Sequence, residues 1–270
     1  MLLKAVSCEG APLLLSVKII NFALFNYGIM TLTDKHNGKL LSTGMKMADL
    51  PDADHRLLGV IRRLGINFGF GEKTIEEVCA ESNVNPHTLL LISKIYIIDN
   101  YVPSKEEISR SSMKDIVTYL HYSHHYYMGK ALETLEKAVN KMIKDCDEKH
   151  CQILTRFYKG YKSEILKHFE YEETTVFPYI KELSEGAVTG TGYRIGQYEE
   201  SHSNVEEKLN DLKNIVMKYL PKSCDSNLIQ DVLDCLYRLE DDLGKHTYIE
   251  DEILVPMAAA REKALGVTEK

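Results

Sequence analysis

The chain has 270 residues, 44% of them hydrophobic, and a formal net charge of −7. That length suits one large domain or two small ones with a substantial core, and the acidic balance argues against a dominant nucleic-acid function, which usually brings a basic face. The six cysteines (Cys8, Cys79, Cys146, Cys151, Cys224, Cys235) form no CxxC pair and fit no common zinc or redox spacing, so they read as reduced thiols of a cytoplasmic protein.

Residues 1–29 are apolar but broken by Lys4, Glu9, Lys18 and Asn21. No run reaches the roughly 20 residues of a membrane span, and the strongly basic start and cleavage site of a signal peptide are lacking. Together with the polar stretch 31–46, this part reads as leader and linker, either disordered or upstream of a true start at Met30, Met45 or Met47. A small helical domain is expected at 47–98. Within it Asn67-Phe-Gly-Phe-Gly71 is a glycine-rich turn, Thr74-Ile-Glu-Glu77 carries a capping-box signature, and Asn85-Pro86 starts a further helix. Residues 99–111, with Pro103, read as a second linker.

Four long helices are expected next, at 112–144, 150–183, 193–220 and 226–263, with a tail at 264–270. In the third, Ile195, Tyr198, His202, Val205, Leu209, Leu212, Val216 and Tyr219 alternate steps of three and four, the core stripe of an antiparallel bundle helix. Similar stripes run through Val117, His121, His124, Met128, Leu135 and Met142 in the first; Leu154, Tyr161, His168, Glu172 and Tyr179 in the second; and Leu228, Val232, Cys235, Leu239, His246, Glu250, Ile253 and Met257 in the fourth. The fold class is therefore all-α, an antiparallel four-helix bundle behind a small helical domain. Every stripe contains polar residues, and an unpaired buried polar group costs about 1–3 kcal/mol.

Two of these helices repeat one pattern. His168-Phe-Glu-Tyr-Glu172 is followed by Pro178, and His246-Thr-Tyr-Ile-Glu250 by Pro256, so both read H-x3-E-x5-P. Positions i and i+4 share a helix face, with Cβ atoms roughly 5–6 Å apart. Each copy thus directs an imidazole and a carboxylate the same way, a donor pair suited to iron, zinc or manganese. The candidate metal ligands are His121, His168, Glu172, His202, His246 and Glu250, at least one from each helix. That set is too large for one tetrahedral zinc. It suits two ions with Glu172 and Glu250 as bridges, leaving positions open to water, O2, peroxide or NO. Glu164, Glu206 and His124 lie on the same faces and are candidates for an outer shell; His36, His55, His87 and His150 fall outside the pattern. Tyr119, Tyr122, Tyr126 and Tyr127 read as packing residues.

At these residues, over about 112–263, the chain resembles the hemerythrin-like (HHE cation-binding) domain family. The resemblance implies a four-helix bundle around a non-heme centre of two iron ions, with His121 and His202 on its single-histidine helices. Hemerythrin proper has HxxxH on the third helix, where this chain has Glu206 in the second position, which sets it apart from a dedicated oxygen carrier. The chain resembles the repair-of-iron-centres subfamily more, whose leading domain is similar to Leu50-Pro51, Leu64-Gly-Ile-Asn-Phe68 and Gly71-Glu-Lys-Thr-Ile75. Its Cys-Cys-Gly-Gly motif is replaced here by Gly69-Phe-Gly-Glu72. The subfamily implies iron-centre repair or a nitrosative and oxidative stress response, with NO, O2 or peroxide as small ligands and damaged iron-centre proteins as partners. It implies no membrane and is compatible with a homodimer. Two other readings are a gas sensor that uses residues 74–93 as a helix-turn-helix on DNA and a di-iron oxidase or peroxidase. Residues 47–110 hold seven Lys/Arg against ten Asp/Glu, the wrong sign for a DNA reader.

Overall fold

Side-chain caps mark where several of the helices begin. The computed structural model describes residues 41–186, 192–201, 205–221 and 224–267; Cys8, Met30, His36 and His202 lie outside them. After the short α1 (Leu50–Ala53) and α2 (Leu57–Arg63), Thr74 caps α3 (Ile75–Glu81), its hydroxyl accepting from Glu77 N while the Glu77 side chain accepts from Thr74 N. Asn85 caps α4 (Pro86–Ile97) by accepting from His87 N and Thr88 N, and Ser104 forms a second capping box on α5 (Lys105–Arg110). Such caps are worth about 1 kcal/mol each. Asn83, at φ 54°, turns the chain between α3 and α4. Part of the segment read as linker is pinned to this unit: Thr43 O and Met45 O accept from Glu76 N and Ile75 N at 3.0 and 2.9 Å.

Four long helical stretches follow. The first is α6 (Met113–Tyr126), a π turn at Tyr127–Ala131, and α7 (Leu132–Met142). The second is α8 (Glu148–Tyr171), a π turn at Glu172–Val176, and α9 (Phe177–Ser184). The third comprises α10 (Gly196–Ser201) and α11 (Val205–Lys218). The fourth is α12 (Ser226–Ile249), a π turn at Glu250–Leu254, and α13 (Val255–Ala264). Asp147 and Asp225 cap the second and fourth. α7 packs on α12, α12 on α11, α11 on α8, and α9 returns to α6 and α13, which closes an all-α bundle. Among the described residues there is no strand, only an isolated bridge between Lys46 and Thr74.

Both repeated motifs contain their π turn at the same place, where the widened helix accommodates the proline that follows; the π turn at Tyr127–Ala131 forms without one. Proline lacks the N–H that would bond residue i−4, and its ring crowds that carbonyl. Pro178 and Pro256 each stand six residues beyond the glutamate. The helix widens ahead of them, so that Phe177 N donates to Glu172 O and Val255 N to Glu250 O, five residues back.

The apolar side chains form two cores. One gathers Met47, Leu57, Ile61, Ile75, Leu89 and Ile92 of the leading helices with Ile116, Tyr119, Val176, Phe177, Tyr198 and Ile253 of the bundle. The other fills the far half of the bundle with Leu135, Leu154, Tyr161, Phe169, Leu212, Val232 and Leu243. Each buried Leu, Ile or Phe contributes about 1.5–3 kcal/mol. Buried polar residues lie at the boundary. His124 separates Leu120 of one core from Tyr127 of the other, Glu172 separates Val176 from Phe169, and His246 separates Ile249 from Leu243.

Tyr219 and Met128, on the stripes but outside the candidate ligands, differ from expectation. Tyr219 is 67% exposed, past the last turn of α11. On α6 and the π turn after it the buried set is Asp115, Ile116, Tyr119, Leu120, Ser123, His124 and Tyr127, whereas Met128 is exposed. Tyr119 and Tyr127 can be buried because their hydroxyls have partners. The Tyr119 hydroxyl meets Tyr96 at 2.7 Å, and that of Tyr127 donates to Asp242 O at 3.2 Å. Arg63, buried on α2, joins this group through a bidentate pair with Asp242 on α12, at 2.5 and 3.0 Å.

Candidate metal centre

Between the two cores, His124, Glu172, His246 and Glu250 turn inward, and one potential ligand atom from each lies within 4.8 Å of all the others. All four are buried. His124 Nε2 and His246 Nε2 stand 3.1 Å apart, His246 Nε2 is 3.0 Å from Glu250 Oε1, and Glu172 Oε2 is 3.2 Å from His124 Nε2. His168 stands at the edge of this group, with Nε2 3.3 Å from Glu172 Oε1.

The first helix supplies His124, not His121. His124 has no exposed side-chain surface, and its ring is stacked between Phe169 (4.2 Å between centroids) and Phe177 (5.3 Å). The His121 side chain is 42% exposed and faces outward to Glu173 and His125. The expected positions of the two are thus exchanged. The helix face that meets the core runs through 116, 120, 123 and 127, and 124 lies on that face while 121 lies beside it. Glu164 forms a surface ion pair with Lys208 at 3.3 Å, and Glu206 is exposed, so neither reaches the centre. His202 falls outside the described residues.

Two further residues orient the inner ones. Glu173 accepts from His124 Nδ1 through Oε1 and contacts His121 Nδ1 through Oε2, both at 2.7 Å. With Nδ1 engaged, His124 directs Nε2 to the centre, the arrangement by which a carboxylate backs a ligating histidine. The buried Tyr198 hydroxyl donates to Glu172 Oε1 at 2.5 Å. Burial, Glu250 and Glu172 hold that phenol well above its usual range, so it remains a neutral donor. Glu173 carries no periodic signal, since its partner lies on another helix; its only hint is its place directly after Glu172.

The donor set fits a cation. Burial pushes His246 down to about 3, and His124 opposite acts in the same direction. His124 experiences the same burial, but Glu172 and Glu173 outweigh it and hold the ring up at about 9. The two rings thus favour opposite charge states, with His124 the one drawn toward the protonated form by the buried carboxylates. Two nitrogens 3.1 Å apart, one beside Glu172 and the other beside Glu250, suit a divalent ion of borderline softness, such as iron, zinc or manganese. Glu172 Oε2 accepts no hydrogen bond from the described residues, which leaves a lone pair for such an ion.

Comparison with known proteins agrees with this geometry. Residues 116–258 match the hemerythrin HHE cation binding domain. The chain belongs to this family. The matched segment runs from the first helix to α13 and contains every residue of the inner group. The HHE protein is also similar to the iron-sulfur cluster repair protein ScdA of Staphylococcus haemolyticus (strain JCSC1435), with 24% identity over 199 residues that cover 72% of this chain and 89% of the relative. Among the described residues, no helix of this HHE protein is long and apolar enough to cross a membrane.

Proposed function

We propose that this HHE protein holds two iron ions between its four long helices and serves iron-centre repair under nitrosative or oxidative stress, by binding NO or O2 or by donating iron. The observation that carries this reading is the buried layer of His124, Glu172, His246 and Glu250, four ionisable side chains converging where the surrounding bundle is apolar. Burying one ion costs several kcal/mol even after relaxation. Glu172, Glu250, His124, His168, His246 and His202 would hold the ions. Iron bound there would supply open coordination positions and one-electron chemistry. The chain itself orients the donors: Glu173 directs His124 Nε2 inward, Tyr198 holds one oxygen of Glu172, and Phe169 and Phe177 keep water from the His124 ring. The likeness to an iron-sulfur cluster repair protein supports repair as the task.

The DNA-sensor reading loses ground. α4, its recognition helix, buries Thr88 through Ser93 together with Ile95 and Tyr96, which leaves little of it to enter a groove.

Anaerobic purification followed by elemental analysis and optical spectra tests the proposal. About two irons per chain, with bands that change on adding NO or O2, are expected. In Glu172→Ala and Glu250→Ala the iron content should fall below that of the parent. Zinc alone, or two irons retained in both variants, would overturn the assignment. Iron transferred from the reduced protein to an apo-cluster protein would separate repair from gas sensing.

A further inference from the structure

At the end of the bundle away from the leading helices, two cysteines meet. Cys146 follows the short helical turn Ile143–Asp145 after α7, and Cys224 directly precedes Asp225, the cap of α12. Their sulfurs are 2.7 Å apart across a sequence separation of 78 residues. That is well inside non-bonded contact for two sulfurs and within about 0.7 Å of the length of a disulfide bond. Cys224 is buried, and Cys146 packs against the far-half core. Among the described residues, no third histidine, cysteine or carboxylate joins this pair to make a metal-binding group, so the arrangement suits a covalent bond rather than a cation.

We propose that Cys146 and Cys224 are a redox-closable pair, joined by a low-molecular-weight disulfide oxidant into a cross-link between the α7–α8 and α11–α12 connections. The thiolate of Cys146, the less buried of the two, attacks one sulfur of the small disulfide and expels one small thiolate. The Cys224 thiolate then attacks the Cys146 sulfur of the mixed disulfide and expels the second. The two protons lost by the cysteines go to the two released thiols, so the protein is oxidised by two electrons and the small disulfide reduced by two. Burial and the neighbouring Cys224 thiol push Cys146 up to about 12, so its thiolate is scarce at neutral pH and closure is slow. The pair is therefore a latch that follows the redox poise and not a rapid sensor. Cys79, Cys151 and Cys235, free cysteines in this structure, remain thiols.

The full-length protein as purified, equilibrated in glutathione buffers of increasing oxidised fraction, quenched with acid and alkylated in denaturant, provides the test. Two of its six thiols should become unreactive, with a peptide linking Cys146 to Cys224 and a mass lower by two hydrogens. The oxidised form should melt higher by roughly 5–15 °C. Cys146→Ser, at a half-buried position, should abolish the cross-link and the melting shift, and Cys235→Ser should keep both. Six reactive thiols at every ratio, a cross-link between other cysteines, or loss of two thiols in Cys146→Ser would overturn the proposal.

Discussion

Glu173 decides which nitrogen of His124 faces the centre, through a 2.7 Å contact to Nδ1. Removing such a carboxylate usually lowers metal affinity by about 10–100-fold. Glu173→Ala should therefore lose metal to a competing chelator at correspondingly lower chelator concentration, while its helical circular dichroism stays unchanged. His121→Ala, which alters only the outward side of Glu173, should retain the parent affinity. Equal losses in both would show that His121, not His124, holds the metal. The contrast marks the limit of what the sequence conveys at this scale. His168, Glu172, His246 and Glu250 were legible because each pair repeats within one helix at a fixed spacing. The choice among His121, His124 and His125 depends on the helix's rotation against its neighbours, which a step of three or four cannot resolve. Tyr119 and Tyr127 blurred that face further, because their hydroxyls are satisfied inside the fold by groups distant in sequence, Tyr96 and Asp242.

At the scale of the element, the four long helices were legible from apolar periodicity, whereas the caps that set their starts, Ser112, Asp147 and Asp225, emerge only in the structure. The π turns were not legible either. A π turn adds one residue without changing composition, and the proline that marks it stands beyond its end. Its effect is local: Glu172 and Glu250 begin the widened turns, and the segments after them resume a regular helix. Deleting Thr174 would remove the extra residue. Pro178→Ala made together with it would relieve the ring's clash with the carbonyl four residues back, worth about 3 kcal/mol. The combined variant should keep Val176, Phe177 and Ile180 in the core and the helical signal intact, yet bind metal about tenfold more weakly or worse. Pro178→Ala alone should bind nearly as the parent does. Undiminished binding in the combined variant would show that the widened turn does not position Glu172.

Among the described residues the leading helices and the bundle share one core, and Arg63 with Asp242 is a buried charged contact beside it. Asp242 lies one turn before His246, so the contact holds α2 against the stretch of α12 that carries the inner histidine. Truncating one partner of a buried pair strands the other charge and costs about 3–5 kcal/mol. Arg63→Ala should lose about that much in urea unfolding at pH 7. The pair also determines an acid response. Burial alone would raise the Asp242 carboxyl, but the charge and hydrogen bonds of Arg63, with those of Tyr96 and Tyr127, outweigh it and leave the group below its ordinary value. A carboxylate depressed in the folded state contributes stability that is complete above its unfolded value, about 3.9, and disappears as pH falls through the folded one. The parent should therefore lose stability on acidification below pH 4 in part through this group. Asp242→Asn, less stable at pH 7, should show a shallower loss over the same range. Parallel curves for the two proteins would mean that Asp242 titrates alike in the folded and unfolded chains, and that the Arg63 contact contributes nothing dependent on charge.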